Sequence, residues 1–123
     1  MKNQSIFLLS ASLLLASCAL FSCGSLTSTT YIDPSKSFVL GEGKHGKYNA
    51  RVTNIGDSPV EVFLTPKNGA ITSLGVLQKN EGQFYPVSND ATVRFSNLGN
   101  EKAVISIKAT GDTQLSMGYK DNN

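Results

Sequence analysis

Tryptophan is absent from this chain of 123 residues, histidine occurs once and cysteine twice. Both cysteines, Cys18 and Cys23, lie near the N-terminus. A zinc site draws on several His or Cys ligands, so the rest of the chain, with His45 alone, holds no such set. A structural disulfide inside a folded region is excluded for the same reason, and a Cys18–Cys23 bridge would close only a very short loop. Charged residues make up 16% of the chain, and no two basic residues are adjacent. That lack of a basic stripe or of interleaved aromatics argues against a nucleic-acid partner. Missing tryptophan removes one large aromatic platform on which a sugar ring could stack.

Residues 41–48, GEGKHGKY, place Gly41, Gly46 and Lys47 at the spacing of a phosphate-binding P-loop. The chemistry is incomplete. The residue after Lys47 is Tyr48, so the hydroxyl that holds Mg²⁺ is missing. From Tyr48 the chain takes up an alternating strand pattern and not the helix whose N-terminus would help hold the anion. The segment therefore reads as a mobile, Gly-rich turn with His45 on a solvated loop, and no nucleotide is expected. No other cofactor or metal is expected either. Asp57, Asp90 and Asp112 fall in turns near asparagines, but no calcium-loop spacing is present, and Asp and Asn are ordinary turn formers. No G-x-S-x-G elbow accompanies His45, so no catalytic residue is assigned.

What is present begins with a single positive charge, Lys2, ahead of an apolar run from Ile6 to Ala16 broken only by serines. A short basic start, an apolar stretch and small residues beyond it match a secretory signal. The run is marginal for a membrane span, which needs roughly 17–25 apolar residues. Leu15-Ala16-Ser17-Cys18 closes the run, and this segment resembles the lipobox of bacterial lipoproteins. Leu20-Phe21-Ser22-Cys23 is the poorer alternative, since bulky Phe21 stands where a small residue is usual. The resemblance covers the N-terminal segment only. It implies acylation at Cys18 (Cys23 in the alternative) and a membrane partner reached through the lipid. Each buried CH₂ contributes about 0.8 kcal/mol, so two chains anchor stably. Ala19, or Gly24 if Cys23 is used, is not the Asp that commonly retains lipoproteins at the inner membrane. The resemblance thus implies the outer membrane where the cell has one.

The expected organisation is a signal at residues 1–17, a flexible Ser/Thr-rich tether at 18–37, a folded domain at 38–120 and a disordered tail at 121–123. Residues 30–32 could instead add an edge strand. Beyond the tether, short runs of period-2 alternation are separated by turn signals. Val60, Val62 and Leu64 share a face, as do Ala91, Val93 and Phe95, and Ala103, Ile105 and Ile107. Asn68-Gly69 marks a tight reversal. Gly75 suggests a bulge, and Pro86 suggests an edge strand. The pattern predicts an all-β fold, an antiparallel sandwich or small barrel of about eight short strands, Ig-like or jelly-roll-like. Its expected core is Val52, Val60, Val62, Leu64, Leu74, Val93, Phe95, Ile105, Ile107, Leu115 and Met117.

Two aromatics stand out as candidate contacts. Phe63 falls on the face opposite Val62 and Leu64. Phe84 and Tyr85 are neighbours, so one must point outward from a regular strand, and Tyr85 is taken as the candidate. These features favour a lipid-anchored, non-catalytic protein-binding or structural module of a bacterial envelope. A glycan-binding module is the alternative, and an enzyme inhibitor or hydrolase is a more distant one. The anchor is directly testable. Intact mass spectrometry of detergent-phase protein is expected to find an acyl mass that Cys18→Ser abolishes and Cys23→Ser leaves in place.

Overall fold

The structure, a computed structural model, describes residues 24–122. Cys18, Cys23 and the signal segment lie outside the described residues, as does Asn123. Nine strands form without a helix among the described residues: β1 (Ser25–Ile32), β2 (Lys36–Leu40), β3 (Tyr48–Asn54), β4 (Val60–Thr65), β5 (Thr72–Leu77), β6 (Gly82–Val87), β7 (Thr92–Asn97), β8 (Ala103–Gly111) and β9 (Met117–Asp121). They pair antiparallel in a four-stranded sheet, β1-β8-β3-β6, and a five-stranded sheet, β5-β4-β7-β2-β9. The order 1-8-3-6 against 2-7-4-5 is a jelly roll, two sheets that share one core. β9 is added outside β2, beyond that eight-stranded frame.

The alternation predicted for β3, β4, β7 and β8 is observed. Val52, Val60, Val62, Val93, Phe95, Ile105 and Ile107 are fully buried and are joined by Ile32, Phe38, Leu40, Tyr48 and Tyr85. Leu64 and Leu115 are only partly buried, packed against that cluster. Pro86 sits in edge strand β6, where its missing N–H costs no ladder bond.

Several expectations need correction. The segment expected to be a tether is structured from Ser25 onward, because β1 pairs with β8 along its whole length, from Ser25↔Thr110 to Ile32↔Ala103. Its inward positions are Leu26, Ser28, Thr30 and Ile32, and two of these are polar. The hydroxyls of Ser28 and Thr30 satisfy each other at 2.9 Å. Leu74, expected in the core, is exposed. The register between β4 and β5 shifts at Val62/Phe63, and Gly75 adopts φ +107. That bulge takes Leu74 off the inner face. Met117 is exposed although its register partner is fully buried Leu40. Five strands face four, so β9 has no strand opposite it. The expected tail also starts too early, since Asp121 belongs to β9 and the Asn122 N–H donates to the Ser35 carbonyl at 3.0 Å.

Two buried asparagines order the turns at one pole. The Asn54 Nδ2 donates to the carbonyls of Ser58 and Leu77 at 2.8 and 2.9 Å, and its Oδ1 accepts the Gly56 N–H. Asn97 repeats the pattern: its Nδ2 donates to the carbonyls of Ile32 and Glu101 at 2.9 and 2.7 Å, and its Oδ1 accepts the Gly99 N–H. The Ser58 hydroxyl joins the two turns by donating to Asn97 Oδ1 at 2.6 Å. Gly99 is required here, because a Cβ would stand 2.1 Å from Ser58 Oγ. Each buried polar group left without a partner costs about 1–3 kcal/mol. Asn97→Ala strands several at once, so urea denaturation is expected to show a loss of about 3 kcal/mol or more. An exposed change on the opposite sheet, Lys108→Ala, is expected to stay within about 0.5 kcal/mol.

Candidate functional site

Candidate surfaces arise where the sheets end. At the step where β9 projects past the four-stranded sheet, an open groove of about 600 Å³ is lined by Tyr31, Asp33, Lys36, Lys102, Tyr119, Lys120 and Asp121. Tyr31 is 55% exposed and Tyr119 58% exposed, high values for side chains of this size. Tyr31 points outward from edge strand β1, between buried Thr30 and Ile32. Tyr119 lies opposite Phe38 in the β2–β9 register and leans edge-on against its ring, with centroids 5.4 Å apart. One edge of Tyr119 is therefore fixed by packing, while the rest of the ring faces solvent.

The charges between the tyrosines are paired. Lys36 and Asp121 form an ion pair, Lys102 lies 3.7 Å from Asp33, and Lys120 lies 2.6 Å from Glu42. The hydrogen bond and the charge of Asp121 push Lys36 above its ordinary 10.5, and Lys36 holds Asp121 below the ordinary 3.8. The end of β9 is clamped from the outer face of its sheet. Arg94 donates to the Asp121 carbonyl and to Ser37 Oγ, both at 3.0 Å, and Asn122 donates to the Asn97 carbonyl at 3.1 Å.

The two aromatics singled out from sequence are not brought together. Tyr85 faces the core and is only 6% exposed, and its neighbour Phe84 is the outward one at 47%. The β3–β6 register settles this parity by placing Tyr85 opposite fully buried Ala50. Burial pushes the Tyr85 hydroxyl up to about 12, and Phe84 lies under the Arg51 guanidinium. Phe63 is half-buried on the outer face of the other sheet. There it lines a smaller groove of about 220 Å³ with Glu61, Arg94 and the exposed apolar residues Ile71 and Leu98. Sequence marks neither Tyr31 nor Tyr119 as an exposed aromatic: Tyr31 lies in the segment expected to be a tether, and Tyr119 shares a strand face with Met117, which is expected in the core.

At the other pole, the segment GEGKHGKY is pinned and not mobile. Positive φ at Gly41 and Gly43 turns it between β2 and β3. The N–H groups of His45 and Gly46 donate to the carboxylates of Asp90 and Asp112 at 2.8 and 2.6 Å. Backbone groups that a phosphate would need are already bound to acids, and the chain continues into strand β3. His45 is half-buried, with its ring nitrogens 2.7 Å from the carbonyls of Gly46 and Ala91. Asp57 pairs with Lys79 at 2.7 Å, so the three turn aspartates serve separate local bonds. Among the described residues, no three His, Cys, Asp or Glu side chains come together as a metal site. The buried Tyr48 hydroxyl has no partner among the described residues, and burial raises its ionisation well above the ordinary range.

These bonds predict acid lability. Backbone donation from His45 lowers Asp90, and donation from Gly46 and Gln114 lowers Asp112, both from 3.8. Groups depressed on folding contribute stability above their unfolded value, and it is lost as pH falls through the lowered folded values. Urea midpoints are therefore expected to fall below about pH 4, with a shallower fall in the double variant Asp90→Asn, Asp112→Asn.

No family model matches the chain, and no curated protein matches it. Among solved structures, the chain is similar to the crystal structure of a Yersinia pseudotuberculosis-derived mitogen, at 12% identity and a TM-score of 0.46, over 76% of this chain and 94% of that one.

Proposed function

We propose that this chain is a small lipid-anchored protein of a bacterial envelope, held by an acylated Cys18, or by Cys23 in the alternative. Its sandwich acts as a non-catalytic binding module. The observation that carries the binding role is the groove with two exposed tyrosines at the step beside β9. Its position is compatible with the anchored reading. β1 starts at Ser25 beside Thr110 and runs toward Tyr31 and the groove at the other end. At a rise of about 3.3 Å per residue, that separates the start of β1 from Tyr31 by about 20 Å. The segment from Cys18 to Ser25 reaches at most about 25 Å. An acylated Cys18 would thus attach to the domain at the pole opposite the groove, on a segment long enough to leave the groove clear of the bilayer.

The electrostatics favour binding over catalysis. The ion pair shifts both Lys36 and Asp121 toward their charged forms. A general acid or base near neutral pH needs the opposite displacement. The outer-face groove supports a second reading, protein contact through Phe63, since Ile71 and Leu98 leave an apolar rim beside it.

The test places a diazirine photo-crosslinker in the membrane-anchored chain in cells. In place of Lys102 it is expected to capture an envelope macromolecule. In place of Lys108, on the outer face of the four-stranded sheet, it is expected to capture none. Equal capture at both sites, or none at Lys102, contradicts the assignment of the groove.

A further inference from the structure

We infer that the tyrosine-lined groove takes a neutral oligosaccharide, an inference that rests on the binding-module reading above. Between the two tyrosines the lining is entirely charged. A protein partner seated here would have to cover all five charged ends. Protein interfaces are depleted in lysine and aspartate at their centres, because desolvating such groups is costly unless each finds a new partner. A saccharide makes a different demand. Each pyranose ring has an apolar C–H face and a rim of hydroxyls, and every hydroxyl both donates and accepts.

The groove offers a complement to each part. A tyrosine face is flat and apolar, and it is held with only two side-chain torsions, so little entropy is lost when it is covered. Tyr119 is further held by Phe38. Neighbouring hydroxyls on a ring can bridge an ion pair, one donating to the carboxylate while the next accepts from the ammonium. Lys36 with Asp121 and Lys102 with Asp33 present that arrangement twice.

Charge and size narrow the ligand further. Every lysine of the groove already has a carboxylate partner, and Lys120 takes its own from Glu42. No cation of the groove is left without a counter-charge to draw in an anionic sugar. Tyr31 and Tyr119 come from different sheets, and about 600 Å³ of open space lies along them. That volume is in the range of a whole ligand site, room for more than one ring.

The experiment titrates the detergent-solubilised full chain with cellotriose, maltotriose, chitotriose and mannotriose, each monitored by calorimetry. At least one trimer is expected to bind, with an affinity that changes less than about twofold between low and high salt. Tyr31→Ala and Tyr119→Ala are each expected to weaken it about tenfold or more, while Phe84→Ala, an exposed aromatic on β6, leaves it unchanged. Tyr31 lacks the ring contact that Tyr119 makes with Phe38, so its variant reports on binding even if Tyr119→Ala loosens β9. Binding that survives both tyrosine changes overturns the inference, as does binding that collapses in salt. If no trimer binds while the crosslinker at Lys102 captures a protein, the saccharide assignment falls and the binding module stands. If neither trimer nor capture is found, both fall.

Discussion

The hydrogen bond from Asn97 Nδ2 to the Ile32 carbonyl joins the two sheets at the pole where the groove lies. Ile32 ends β1, at the edge of the four-stranded sheet, and Asn97 ends β7, inside the five-stranded one. The same amide holds the turn to β8 through Glu101 and receives the Ser58 hydroxyl from the neighbouring turn. Because this asparagine is buried, its bonds carry the full cost of desolvation if broken. They set where the last residue of β1 stops and therefore where Tyr31 and Asp33 stand relative to β9. Asn122, bonded to the Asn97 carbonyl, ties the end of β9 to the same centre.

The groove is a consequence of uneven layers. An eight-stranded jelly roll sets four strands on four and buries both inner faces. Here the ninth strand pairs with β2 and has no strand opposite it. Its apolar side, Met117 and Tyr119, continues the register of Leu40 and Phe38, yet solvent reaches it. The exposed aromatic surface thus arises from an extra strand on a regular frame. Ion pairs along the step keep this edge polar, a known safeguard against pairing with another chain.

The central strands were legible because their inner and outer residues differ in chemistry. Val60–Leu64 and Ala103–Ile107 alternate cleanly, and Gly75 and Pro86 announced a bulge and an edge. Of β1 only residues 30–32 were legible, as an alternative edge strand, since inward-facing Ser28 and Thr30 erase the hydrophobic period of the whole strand. For Phe84 and Tyr85, the alternation of the strand says that one faces in, but only pairing with β3 says which. Met117 was misplaced because a strand's pattern does not reveal whether another layer covers it. A local signal for the pole ordered by Asn54 and Asn97 did exist. Asn54-Ile55-Gly56 and Asn97-Leu98-Gly99 share an Asn-x-Gly pattern, although the burial of the two amides comes from the tertiary fold.

Amide hydrogen exchange along residues 25–32 tests most directly whether this segment is a strand of the domain, on which the groove depends. The account predicts slow exchange at alternate amides of β1, persisting to strong denaturant at the Ile32 end, where Asn97 holds it. Uniformly fast exchange from Ser25 through Ile32 in a domain whose β3 and β8 remain protected would contradict it, since Tyr31 would then belong to a free tether and the groove would lose a wall.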